Sequence, residues 1–303
     1  MEPQLSSAID AALKAIADAI RDVDGSRRWN VHLLIDPTLA DPLPELEGVG
    51  RECIEIPISK TLMSEAHRPY LVPVREVGRD PLIDAALAHS MCEVKGRSSV
   101  PAGARSICAF VACRASTIEM ARSLAQSAMV ILEGDRRLFR FWDPRVMDLL
   151  PQFISIDEIS RLIAPVERWC WIARDGRAET LELDEGPRPI RPASTPDPKI
   201  FLNFGLINQV LDALNLDSIS YRAVDFTQID RDIREGQVLW NLQSQYEMVS
   251  YALHRHLVGR SFDDEGQVRM HMESAVRDGK SPITALESFD ELFWATLAAR
   301  QGL

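Results

Sequence analysis

The sequence predicts an α/β N-terminal domain, with a mixed sheet and flanking helices, followed by an all-helical C-terminal domain. Three observations predict it. β-rich runs alternate with helical stretches as far as Leu183, a proline-rich segment follows, and helical periodicity takes over from Ile200. The domains expected are therefore 1–183 (α/β) and 200–303 (helical), joined by a linker over 184–199.

Ala8, Ile9, Ala12, Leu13, Ile16, Ala19, Ile20 and Val23 recur at three- and four-residue spacing, which predicts an amphipathic opening helix ending near Gly25. Strands are expected in WNVHLLID (Trp29 to Asp36), CIEIPI (Cys53 to Ile58), PYLVPV (Pro69 to Val74), SICAFVAC (Ser106 to Cys113) and MVILE (Met129 to Glu133). Three S-x-x-E boxes mark helix starts, Ser116 with Glu119, Ser155 with Glu158 and Ser288 with Glu291. Asp175-Gly176, between WCWIAR and RAETLEL, predicts a hairpin on a primed turn. DEGPRPIRPASTPDPK holds five prolines in sixteen residues and reads as a stiff linker able to span up to about 50 Å. Beyond it, Leu239, Leu242, Tyr246, Val249, Leu253 and Leu257 form one apolar stripe, and Phe289, Leu292, Phe293 and Leu297 another.

Composition narrows the function. A formal charge of −11 gives no basic field for nucleic acid or an anionic membrane, so neither is expected as a partner. Five scattered cysteines, without C-x-x-C or a companion His at zinc spacing, read as reduced thiols of a cytoplasmic protein. Charges at Asp10, Lys14 and Asp18 interrupt the N-terminal apolar positions, which excludes a signal peptide or membrane span there.

Motifs for cofactors and catalysis are missing. The sequence has no G-x-x-x-x-G-K-[ST] and no G-x-S-x-G, and EGVGREC lacks the third glycine of a dinucleotide turn. His254 and His256 fall on opposite sides of a helix, and SFDDEGQVRMHME fails a calcium loop at its first and last positions. No cofactor, metal or catalytic residue is expected.

RLFRFWDPRVMDLL, Arg137 to Leu150, carries the most information. Leu138 to Trp142 reads as a strand paired with Met129 to Glu133 across a turn containing Gly134 and Asp135. Asp143 fits a helix N-cap and Pro144 the first helical position, so Phe139, Arg140, Trp142, Asp143, Pro144 and Arg145 form a structural corner. The same Asp-Pro pair recurs at Asp36, Asp41 and Asp80.

FRFWDPRV, with LIDP (Leu34 to Pro37), PYLV (Pro69 to Val72) and APVERW (Ala164 to Trp169) in the same order, resembles the signature of the type VI secretion adaptor-chaperone family, the Tap or TEC proteins. The resemblance implies a non-catalytic bacterial chaperone and adaptor that holds a secreted effector in the cytoplasm and helps load it onto its cognate VgrG spike protein, with partner specificity in the helical domain. There Trp240, Glu247, Tyr251 and His254 are expected together on one helix, as protein-binding anchors or as packing against a neighbouring helix. The rival reading is an α/β enzyme whose site assembles around Asp36, Asp143 and Arg145; a third is a permanently incorporated structural subunit.

Overall fold

The structure is a computed structural model that describes residues 29–46, 50–75, 79–96, 105–183, 197–216 and 218–302, with positions 11, 14, 15 and 18. Those four positions are helical, and the rest of the expected opening helix lies outside the described residues. The chain divides into two compact units, Met1–Lys199 and Ile200–Leu303. Most of the expected linker, residues 184–196, also lies outside the described residues, and Pro198–Phe201 forms a 3-10 turn.

The first unit is the expected α/β layer. Its six-stranded sheet contains β1 (Asn30–Ile35), β2 (Ile54–Glu55), β3 (Tyr70–Pro73), β4 (Ile107–Cys113), β7 (Arg168–Ile172) and β8 (Ala178–Glu182), in the order β2-β3-β1-β4-β7-β8. Every ladder is antiparallel, so the strand directions are more uniform than strand and helix alternation suggested. CIEIPI contributes only a two-residue strand at the sheet edge; Ile56 N–H still bonds to Pro69 O at 2.8 Å, and the chain turns where Ile58 N–H closes on Ile56 O.

Both faces of the sheet are covered, which is why ICAFVAC is buried at every position. Val31, Leu33, Ile35, Phe110, Ala112, Cys170 and Ile172 face α1 (Pro81–Lys95), packing on its Leu82, Ile83, Ala86, Leu87 and Met91. The alternate residues face α2 (Thr117–Ser127), α3 (Pro144–Phe153) and α4 (Ile156–Ile163). Cys113 Sγ lies 3.6 Å from Met120 Sδ on that side, and the Phe141 and Trp169 rings are 6.0 Å apart.

A two-stranded ribbon, β5 (Met129–Leu132) with β6 (Asp135–Leu138), stands apart from the sheet. Its turn is Glu133-Gly134, both at positive φ, and not the expected Gly134-Asp135. The strand ends at Leu138, with one last bond from Phe139 N–H to Ala128 O; Phe141 N–H then bonds to Phe139 O and Asp143 N–H to Arg140 O, so Phe139 to Asp143 turns where a strand end was expected. At Asp175-Gly176 only Gly176 has positive φ, and Gly176 N–H closes on Ala173 O. This three-residue loop is a type I turn with a left-handed glycine, the alternative to the primed turn expected there.

The Asp-Pro pairs share one device. Proline has no N–H, so the next residue supplies the first free donor, and the aspartate carboxylate takes it. The bonds are Thr38 N to Asp36 at 3.0 Å, Leu43 N to Asp41 at 3.0 Å, Leu82 N to Asp80 at 3.1 Å, Arg145 N to Asp143 at 2.9 Å and Lys199 N to Asp197 at 3.0 Å. Asp80 then uses its remaining capacity on Arg51, which grips it with two donors at 2.6 and 2.7 Å, and on Arg75 N at 2.8 Å.

The second unit contains α5 (Phe204–Leu214), α6 (Ser218–Arg222), α7 (Phe226–Trp240), α8 (Gln245–Leu257), α9 (Gly266–Arg277) and α10 (Glu291–Gln301). Asn241 at φ 52° breaks the long expected stripe between α7 and α8. Leu242 is buried, but Leu239, Tyr246 and Leu257 point to solvent, and α8 instead buries Met248, Tyr251 and Ala252. The third S-x-x-E box does not form. Asp290 caps α10 through Phe293 N, and Ser288 Oγ donates to Ala285 O. A box that the sequence reading missed, Ser244 with Glu247, opens α8.

Two predictions follow from this packing. A Cβ on Gly236 would lie 2.6 Å from Tyr251 Cδ1 and 2.9 Å from Leu242 Cδ1. Gly236→Ala gains about 1 kcal/mol of helix propensity but overpacks two buried side chains at a cost of about 1–3 kcal/mol, so urea denaturation should show a net loss of about 1 kcal/mol. The second concerns Asp80. Burial alone would raise its pKa, but Arg51 and the N–H groups of Arg75 and Leu82 outweigh that and hold it down at about 2. A depressed carboxylate stabilises the fold above its unfolded pKa and loses that contribution as pH falls through the folded one, here between about 4 and 2. Wild-type unfolding free energy should therefore drop by about 2 kcal/mol more across that window than that of Asp80→Asn.

Candidate functional site

Two of the four motif segments, LIDP and FRFWDPRV, meet at one carboxylate. Asp36, at the end of β1, has a fully buried side chain, and its own N–H bonds to Ser106 O at 2.9 Å. Thr38 N and Oγ1 donate to Oδ1, while Arg140 Nη2 at 2.8 Å and Trp142 Nε1 at 2.7 Å donate to Oδ2. LIDP is thereby fastened to FRFWDPRV, 104 residues further along the chain. PYLV lies beside LIDP through the Ile35 and Tyr70 pairing, and Trp169 of APVERW packs on Phe141.

Asp143 is spent in the same way. Its carboxylate accepts from Arg145 N at 2.9 Å, Nε at 3.0 Å and Nη2 at 2.7 Å. Burial pushes its pKa up, and the Arg145 guanidinium and N–H more than compensate, leaving it below the ordinary carboxylate value. Pro144 is buried at the first helical position, and Phe139 and Trp142 are buried before it. Asp36, Asp143 and Arg145 thus engage donors and acceptors within the corner itself. A general acid or base needs its carboxylate turned to a substrate, and these are turned to the scaffold.

Two further polar groups, buried Glu93 and half-buried Asp148, escaped the sequence reading. Glu93 accepts from Ser106 N at 2.8 Å and Ser106 Oγ at 2.5 Å, joining α1 to the start of β4. Asp148 accepts from Trp171 Nε1 at 2.7 Å and Arg174 N at 2.9 Å. Neither has a local sequence signal, because the partners are distant in the chain.

In the helical unit, Trp240 ends α7 while Glu247, Tyr251 and His254 belong to α8, so the four do not share one helix as expected. Glu247 closes the capping box at the α8 start, and hydrogen bonds from Ser281 and Ser244 hold its carboxyl down at about 2. Tyr251 is fully buried, and its hydroxyl donates to Asp263 Oδ2 at 2.7 Å; burial and that carboxylate raise its pKa. Trp240 Nε1 donates to the same oxygen at 2.9 Å. His254 lies 5.0 Å from Trp294 and 5.5 Å from Phe262, with Nδ1 against Ser250 O, and burial lowers its pKa. Glu247 and His254 are half-buried, as is Trp240. Trp240 borders a cavity of about 380 Å³ together with Leu239, Asp263, Asp264, Arg269 and Val276.

Among the described residues no three His, Cys, Asp or Glu side chains cluster to hold a metal, and no helix is long and apolar enough to cross a membrane. The five cysteines are free; burial pushes Cys170 up to about 11 and Cys113 up to about 12, far from thiolate reactivity. Comparison with known protein families, with curated proteins and with solved structures finds no match.

Removing the central carboxylate should be costly. Asp36→Ala would leave the buried Trp142 Nε1 and the Arg140 guanidinium without an acceptor, and a loss of about 3 kcal/mol is expected by chemical denaturation. Asp143→Asn would show whether the corner has a second role: the scaffold role predicts lower stability and no loss of any turnover.

Proposed function

We propose that this chain is a cytoplasmic adaptor-chaperone of type VI secretion, which binds an effector protein and helps load it onto its cognate VgrG spike without catalysing a reaction. One observation carries the reading. LIDP and FRFWDPRV share the Asp36 carboxylate, PYLV pairs with LIDP as a neighbouring strand, and Trp169 of APVERW packs on Phe141, so the segments that resemble the family signature, scattered over residues 34–169, are linked in one unit.

Two other features support it. The polar side chains of the most informative motif are consumed by the fold, which suits a scaffold better than a reactive site. The helical unit leaves Val238, Leu239, Tyr246, Leu257, Met270 and Leu292 exposed, and large exposed apolar side chains in number suit a protein that grips other polypeptides. In this reading the helical unit selects the partner, with Trp240 at its surface as one anchor.

Co-expression with the products of the neighbouring genes tests the proposal. A stoichiometric complex with an effector and a spike protein, and a more soluble effector, are expected. Neither co-purification nor any change in solubility would remove it.

A further inference from the structure

Three exposed apolar residues of the first unit, Ile118, Met129 and Ile131, lie on its ribbon and on the helix that leads into it. Met129 and Leu138 pair across β5 and β6 and open onto a cavity of about 270 Å³ that is also lined by Pro57, Leu62, Ala125 and Arg122. Ile131, two residues along β5 and so on the Met129 face, is 65 % exposed. Ile118, one helical turn before Arg122, is 53 % exposed and extends the apolar strip along α2.

Arginines stand closest to the cavity, while Glu133 sits in the ribbon turn two residues beyond Ile131. Arg122 is the sole charged side chain in the cavity lining, and Arg136 stands directly opposite Ile131. Both are exposed and, among the described residues, neither is held in an ion pair, in contrast to Arg137, which is bonded to Asp135. Arg122 feels Glu119, but that carboxylate already accepts from Ser116 N and Oγ as part of a helix cap. Two unpaired guanidiniums flanking an apolar cavity, on a chain of net charge −11, make a local complement to carboxylates.

We infer that this groove between the β5–β6 ribbon, α2 and the 57–62 loop docks an acidic amphipathic segment of another polypeptide. One large apolar side chain enters the cavity, and carboxylates on either side meet Arg122 and Arg136. The apolar floor disfavours nucleic acid, which would present phosphates and no side chain to fill the cavity. The inference goes beyond the adaptor reading: it names a surface and a partner chemistry in the unit to which that reading assigns no partner.

Short fluorescein-labelled peptides test it on the full chain by fluorescence anisotropy: one of Leu, Phe, Glu and Asp, a second with Lys replacing the acids, and a third with Ser replacing Leu and Phe. The acidic apolar peptide should bind roughly tenfold or more tightly than either other, and Arg122→Glu with Arg136→Glu should reverse the acidic and Lys ranking. Both arginines are exposed, so the double variant should keep its melting temperature. Ile131→Ser, also exposed, should weaken the acidic peptide without reversing the ranking. Absence of binding, equal binding of all three, an unchanged ranking in the double variant, or preferential binding of a DNA duplex would each overturn the inference. So would self-association through this face, seen by sedimentation and lost in the double variant. Failure of effector capture by a chain that still ranks these peptides would end the adaptor reading alone.

Discussion

A carboxylate next to a proline organises much of the first unit. In each Asp-Pro pair the ring removes one donor and fixes the chain direction, and the aspartate turns back onto the next N–H. That bond leaves capacity on the carboxylate, and the fold uses it over long distances: Asp36 for Arg140 and Trp142, Asp41 for Tyr70, Asp80 for Arg51. Local turn chemistry therefore also fixes which segments lie together. The surrounding aromatics, Phe141, Trp142 and Trp169, exclude water from the Asp36 hub, and low local polarity makes those hydrogen bonds costly to break.

This arrangement links the fold to the proposed role. A protein that must present fixed surfaces to two partners needs a frame that does not yield when one binds. The covered sheet and its carboxylate ties provide such a frame, whereas the exposed apolar side chains lie outside the sheet, on the ribbon, on loops and on the outer faces of helices. In the helical unit, Asp263 has a similar part: one oxygen takes both Trp240 and Tyr251, which sets the indole at the rim of a cavity.

What was legible in the sequence is what is local. N-caps at Asp143, Ser116 and Ser155, the hairpin after Trp171 and the end of the α/β pattern near Leu183 all depend on neighbours a few residues apart. The stripe from Leu239 to Leu257 misled because periodicity does not register a left-handed Asn241, which turns the second helix so that Tyr251 and Met248 face inward. Ser288 failed as a cap because Asp290, two residues on, took the role. The tie between Asp36 and Trp142 was out of reach of any local rule, since 106 residues separate donor from acceptor.

The strand order has a consequence for synthesis. β1 is third in the sheet, and β4, buried along its whole length, is flanked on one side by β1 and on the other by a strand more than fifty residues later. Until Arg168–Ile172 leaves the ribosome, ICAFVAC presents an open apolar border with unpaired amides, a template for misassembly with other nascent chains. The nascent chain would thus itself pass through a vulnerable interval, closed only when the Trp169 segment arrives.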